Sequence, residues 1–155
     1  MRMRSLLLLL TALSVLAGSA HAQQWAGVRS GYPLGVTVHY GTPLDAFDLR
    51  VSGRVVADGG NVRVGVGLDL LTAFASEGPL TAYYGAGPAL DIGGDDLVLD
   101  VHALVGGEFR FSDVQLDPLG LFLEGTLGGR ISLGGVSANT RLPAVGAALG
   151  VNWHF

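Results

Sequence analysis

The sequence predicts an all-β protein, a single antiparallel up-and-down transmembrane β-barrel of about eight strands behind an N-terminal signal peptide. Three observations carry the expectation. In Pro143 to Phe155, the residues Val145, Ala147, Leu149, Val151, Trp153 and Phe155 form an apolar set at every second position, with small or polar residues between them. That is strand periodicity with two faces of opposite character. Second, 25 glycines, 14% charged residues and no cysteine describe a chain that neither relies on disulfides nor covers itself with the charges of a soluble surface. Third, beyond the first 22 residues no apolar run approaches the roughly 18 residues a transmembrane helix needs, so membrane entry requires a closed barrel, in which every strand is paired.

Residues 1–22 read as the signal peptide. Arg2 and Arg4 precede an apolar run from Leu6 to Ala17, and Ala20-His21-Ala22 follows as a small-residue cleavage site. Cleavage leaves residues 23–155, which is 155 − 22 = 133 residues and enough for one domain. The remaining charges are seven Arg and 13 acids, a formal 7 − 13 = −6, with no Lys. No basic patch points to nucleic acid.

Gly, Pro, Asn and Asp clusters cut the remainder into eight strand-length segments. Gln24 to Gly31 and Leu34 to Tyr40 share one parity and read either as one strand bent at Pro33 or as two joined at Tyr32-Pro33; two are preferred, since an even count closes a barrel. The third, Phe47 to Val56, sets Leu49, Val51 and Val55 against Asp48, Arg50, Ser52 and Arg54. Asp58-Gly59-Gly60 then turns into the fourth, Asn61 to Ala73, where Val62, Val64, Val66, Leu68 and Leu70 alternate with Arg63, Gly65, Gly67 and Asp69. Ser76-Glu77-Gly78-Pro79 leads to the fifth, Leu80 to Leu90, whose Pro88 is expected near a rim, where proline is tolerated. The sixth, Leu97 to Phe111, sets Leu99, Val101, Val105 and Phe109 against Asp100, His102, Glu108 and Arg110. The seventh, Leu119 to Ser132, sets Leu121, Leu123, Leu127 and Ile131 against Phe122, Glu124, Thr126 and Arg130, and Gly134 to Asn139 is the expected loop before the closing strand.

The runs Y-Y-G-A-G-P-A-L (Tyr83 to Leu90), H-A-L-V-G-G-E-F-R-F (His102 to Phe111), L-F-L-E-G (Leu121 to Gly125) and the ending G-V-N-W-H-F resemble the small bacterial outer-membrane β-barrel proteins of the OmpA/OmpX type. The resemblance spreads over nearly all of the mature chain. It implies an eight-stranded barrel with both ends in the periplasm, and a C-terminal assembly signal on Val151, Trp153 and Phe155. Many relatives carry long extracellular loops with adhesive roles, whereas every connection here reads as short, the longest around Ser112 to Pro118 and Gly134 to Arg141.

The charged faces carry glycine as well, which suits a crowded lumen. The expected lumen network is Arg50, Arg54, Arg63, Asp69, Asp100, His102, Glu108, Arg110, Glu124 and Arg130, with cross-strand pairing of Arg50 to Asp69 and of Arg110 to Glu124. His39, His102 and His154 share the inward parity with Asp100, Glu108 and Glu124, a set compatible with an acid/base or metal site or with an interior polar network; their wide spacing favours the network. No nucleophile, paired-carboxylate or phosphate-loop pattern indicates an enzyme, and no cofactor or metal is expected. Trp25, Tyr32, Tyr40, Tyr84, Phe111, Trp153 and Phe155 are candidates for interfacial girdles.

Two functional readings share this alternation. The first is a monomeric outer-membrane barrel with a structural, membrane-integrity or interaction role, its partners being outer-membrane lipid and the barrel-assembly machinery. The alternative is a soluble exported lipocalin-like barrel with its apolar face inward around a small ligand. A lipid-modifying enzyme is a third reading without a motif. On the first reading, deleting Phe155 or making it polar lowers the yield in the outer-membrane fraction while export continues; an unchanged yield would remove the assembly role of the closing strand.

Overall fold

The computed structural model describes residues 23–58, 61–93, 96–111, 118–134 and 137–155; the expected signal segment lies outside them, as does most of the Ser112 to Pro118 connection. The chain forms eight strands in one closed barrel: β1 (Trp25–Tyr32), β2 (Gly35–Pro43), β3 (Asp48–Asp58), β4 (Asn61–Glu77), β5 (Leu80–Gly93), β6 (Asp96–Arg110), β7 (Leu119–Gly134) and β8 (Ser137–His154). Each pairs antiparallel with the next, and β1 closes onto β8 from Trp25↔His154 to Tyr32↔Ala147. Backbone bonds between Gln24 and Phe155 extend the closure beyond the strand ends.

Alternation dictates the two faces. Val51, Leu68, Val101, Leu123, Leu149 and their neighbours are exposed on the outside, while Arg50, Asp69, Phe122 and Glu124 are buried within. This is the reverse of a soluble barrel and the arrangement a hydrocarbon surround favours, because outward Leu and Val meet no water-seeking neighbour. The soluble lipocalin reading is overturned by this direction, since it needs the apolar face inward.

Shear follows from the register. Directly opposed residues run from Trp25 through Gly41, Arg50 and Asp69, continue to Gly87, and pass through His102, Gly128 and Ala144. Since Ala147 opposes Tyr32, Ala144 projects to position 35 on the line of β1, a displacement of 35 − 25 = 10 residues. With eight strands this gives steeply tilted strands, about 40° from the axis, and a lumen only wide enough for side chains.

Several boundaries differ from the sequence reading. β4 runs on to Glu77, helped by a bulge between Ala73 and Ala75, and turns at Gly78, whose φ of 55° lies in the left-handed region that glycine adopts without strain. Pro88 stands inside β5, facing outward opposite Val101, instead of near a rim. It has no N–H to donate, and the β4–β5 pairs correspondingly skip Leu68 and Asp69. The loop expected at Gly134 to Asn139 is largely strand, since Gly134 already opposes Ser137. A second bulge sets Leu142 and Pro143 against Gly129, which accommodates the proline and brings Arg141 opposite Arg130.

Trp25 was expected in an aromatic girdle, but it lies inside, in a buried cluster with Leu71, Tyr83 and Leu104. Its parity explains this, because Trp25 alternates with the outward Ala26 and Val28. The outward aromatics gather at the end that carries the termini, where Tyr40 meets Phe155, Phe74 meets Tyr84 and Phe109 meets Phe111. Tyr32 stands alone among them at the opposite end.

Arginine placed at outward Leu68 or Val101 is expected to lower folding stability in lipid vesicles by about 2–4 kcal/mol, against about 0–1 kcal/mol near either end of a strand. Equilibrium unfolding in vesicles measures the difference. Equal costs at both depths would contradict a membrane-facing wall.

Candidate functional site: the lumen network

Among the described residues the lumen holds an apolar plug and three ionic groups, and Glu124 joins the plug to the largest of them. From β7, Glu124 accepts hydrogen bonds from Arg29 on β1, from Arg50 on β3 and from the Tyr83 hydroxyl on β5 at 2.8 Å. Arg50 holds a second carboxylate, donating from Nε to Asp69 Oδ2 at 3.0 Å. Arg50 and Asp69 are directly opposed on β3 and β4, so the hairpin register places this pair before any other contact forms. All three of Arg50, Asp69 and Glu124 are about 2% exposed or less. Two guanidiniums facing two carboxylates at this burial satisfy one another; any one alone would be a costly buried charge.

The network continues through histidine. His102 Nε2 lies 3.1 Å from Asp69 Oδ1, and its Nδ1 lies 3.4 Å from Asp100 Oδ1. Arg130 closes the line by donating to Asp100 Oδ2 at 3.0 Å. A separate pair forms between Arg54 and Asp91 on β3 and β5, with Nε donating to Oδ1 at 2.6 Å and Nη2 to Oδ2 at 2.8 Å. Such bidentate geometry makes the strong form of an arginine–carboxylate pair.

Toward the termini a third group runs His39, Asn152, Glu108, His154, Arg110. His39 Nε2 meets Asn152 Oδ1 at 2.7 Å, and Asn152 Nδ2 donates to Glu108 at 3.0 Å. His154 Nε2 also reaches Glu108, while its Nδ1 accepts from Arg110 at 2.9 Å. Arg110 further donates to Gln23 at 2.5 Å, near the mouth. The plug beside this group is Trp25, Leu71, Tyr83 and Leu104, with Phe122 packed edge-on to His39. Glycines make the room: a Cβ on Gly106 would lie 2.7 Å from Tyr83 Cζ, and one on Gly150 would lie 2.4 Å from Phe122 Cζ.

Of the residues singled out from sequence, Arg50, Asp69, Glu124, His102, Asp100 and Arg130 fall into one connected line, Arg54 into the pair with Asp91, and Glu108 and Arg110 into the group near the termini. Arg63 is buried on the inner face of β4. The expected pairing of Arg110 with Glu124 is wrong: Arg110 opposes Gly120 and Glu124 opposes Gly106. β7 starts pairing with β6 four residues earlier than that contact needs (124 − 120 = 4), so Glu124 sits further along the barrel than Arg110 and bonds across the lumen instead of to it. Arg29, Tyr83, Asp91 and Asn152 were not singled out. Parity opposite Ala26 and Val28 points Arg29 inward, and Asp91 lies one residue past the end assigned to the fifth segment. Val151, Trp153 and Phe155 stand on the outer face of the closing strand. Among the described residues, no group of three or more His, Cys, Asp or Glu is arranged to hold a metal ion.

The closed, shear-10 meander with apolar wall and ionic interior defines a fold class, the eight-stranded antiparallel up-and-down β-barrel. Two solved structures share it. The N-terminal β-barrel domain of Pseudomonas aeruginosa OprF aligns with a TM-score of 0.56 at 17% identity, covering 86% of this chain and 96% of that one. Neisserial surface protein A aligns with a TM-score of 0.54 at 14% identity, covering 86% and 94%. At these identities the likeness is one of fold. No protein-family model and no curated protein matches the sequence.

Removing Glu124 leaves two buried guanidiniums, Arg29 and Arg50, to share the single carboxylate of Asp69, so Glu124→Ala is expected to cost about 3–5 kcal/mol of unfolding free energy. Glu124→Ala combined with Arg50→Ala costs less than the sum of the two single variants. Denaturant titration in detergent, followed by tryptophan fluorescence, gives all three values, and strict additivity would sever the claimed coupling.

Proposed function

We propose that this protein is a monomeric integral outer-membrane barrel with a structural or interaction role and no enzymatic activity, its termini on the periplasmic side and its lumen closed to ions. The observation that supports this most is the joint placement of an unbroken apolar wall outside and mutually paired charges inside. A barrel that transported solutes would leave an open polar path. Here Arg50, Asp69 and Glu124 meet from three strands across the axis, and Trp25 and Phe122 fill the next level. The short connections support a membrane-integrity role over adhesion: at the end away from the termini two residues separate β1 from β2, β3 from β4, β5 from β6 and β7 from β8. The outward stripe of Val151, Trp153 and Phe155 is the surface we assign to recognition by the barrel-assembly machinery. An export signal in residues 1–22 completes the route.

Purified protein in planar bilayers is expected to show no steady current at moderate voltage. In fractionation it stays with outer membranes and is released by detergent but not by alkaline wash. A stable conductance would replace the closed-lumen reading with a small pore; release by alkali would remove the integral-membrane reading itself.

A further inference from the structure

The barrel wall has a gap. β8 is 18 residues long, and only its last 8, from Ala147 to His154, pair with β1. The first 18 − 8 = 10, Ser137 to Gly146, have β7 on one side and, among the described residues, no strand on the other. This overshoot equals the shear: each hairpin turns at nearly the same register, so the ends climb round the barrel and β8 finishes one full shear above β1. The floor of the resulting notch is the Tyr32-Pro33-Leu34 turn, tied to β3 through Ala57 N–H donating to Leu34 O at 2.8 Å.

The notch opens at membrane depth and leads inward. β1 has 8 residues, which at about 3.3 Å each and about 40° of tilt rise roughly 20 Å, short of an apolar band about 25 Å tall. A cavity of about 180 Å³ occupies the gap. It shares Tyr32, Pro33, Arg130, Ala144 and Val145 with a cavity of about 100 Å³ in the lumen, so lumen and outer wall communicate sideways.

Its chemistry is amphiphilic. Arg130 and Arg141 are directly opposed across β7 and β8 and both line the notch, a like-charge pair that is unfavourable without an anion near it. Asp100 answers Arg130. Among the described residues no ion pair answers Arg141, which is exposed. Directly outside, Leu34 is 69% and Val145 57% exposed, on the face that meets hydrocarbon. A free anion would satisfy the arginines and leave this apolar approach unused; a phosphate carrying acyl chains uses both.

We propose that the β1–β8 notch is a lateral binding site for a membrane lipid with an anionic phosphate headgroup, the phosphate held by Arg141 and Arg130 and an acyl chain lying over Leu34 and Val145. The site rests on the membrane reading. The full mature chain, which lacks cysteine, accepts a single nitroxide at Val145→Cys. In nanodiscs of phosphatidylcholine, adding phosphatidylglycerol is expected to immobilise this label, and native mass spectrometry of the detergent-extracted barrel is expected to retain phosphatidylglycerol over phosphatidylcholine. Arg141→Gln, at an exposed position, lowers that preference about fivefold. Equal retention of the two lipids, an unchanged preference in Arg141→Gln, or immobilisation by inorganic phosphate alone would each overturn the lipid site. Failure of the membrane reading would show separately, as a barrel that does not enter nanodiscs at all.

Discussion

Closure of the sheet is the constraint on which everything else depends. In hydrocarbon an unpaired strand edge has no water to satisfy it, so β1 must find β8, and the two do so along all eight residues of β1. Closing with eight strands and a shear of ten makes the lumen narrow, and a narrow lumen cannot hold bulk water around charges. The charges pointing inward must therefore answer one another. The Arg29–Glu124–Arg50–Asp69 assembly is that answer: the β3–β4 hairpin sets Arg50 beside Asp69, and closure brings Arg29 of β1 and Glu124 of β7 to them across the lumen.

The same closure explains the distribution of glycine. Every large inward side chain needs space on the strand beside it, and Gly106 beside Tyr83, Gly120 beside Glu108, Gly150 beside Phe122 and Gly41 beside Trp25 supply it. Glycine weakens a strand in isolation. Here its neighbours on both sides hold the backbone, and the lost side chain is replaced by one reaching over from the next strand.

Closure also has a cost at one end. Hairpins that turn at constant register cannot leave a sheared barrel flat at both ends, so the tall β7–β8 hairpin stands beside the low β1–β2 turn. The aromatics cluster at the even end, with the termini, where a level boundary gives them a common interface to occupy. The stepped end has Tyr32 alone and the opposed Arg130 and Arg141, a polar feature set into an otherwise aliphatic wall.

Much of this was legible in the residues. Strand alternation is a local property, so eight segments, the outward set of Leu68, Val101, Leu123 and Leu149, and the Arg50–Asp69 register next to Gly59-Gly60 follow from spacing and turn chemistry alone. Parity also determines that Arg29 and Trp25 point inward. Position along the axis is different, because it depends on register between strands whose connecting turns do not specify it. Whether Glu124 meets Arg110 or crosses the lumen to Arg29 and Arg50, whether Pro88 lies at a rim or mid-strand, and where β8 begins were decided by the tertiary structure. The physical reason is that shear is a global quantity: it is set only when the last strand pairs with the first, and no segment of the chain encodes it separately.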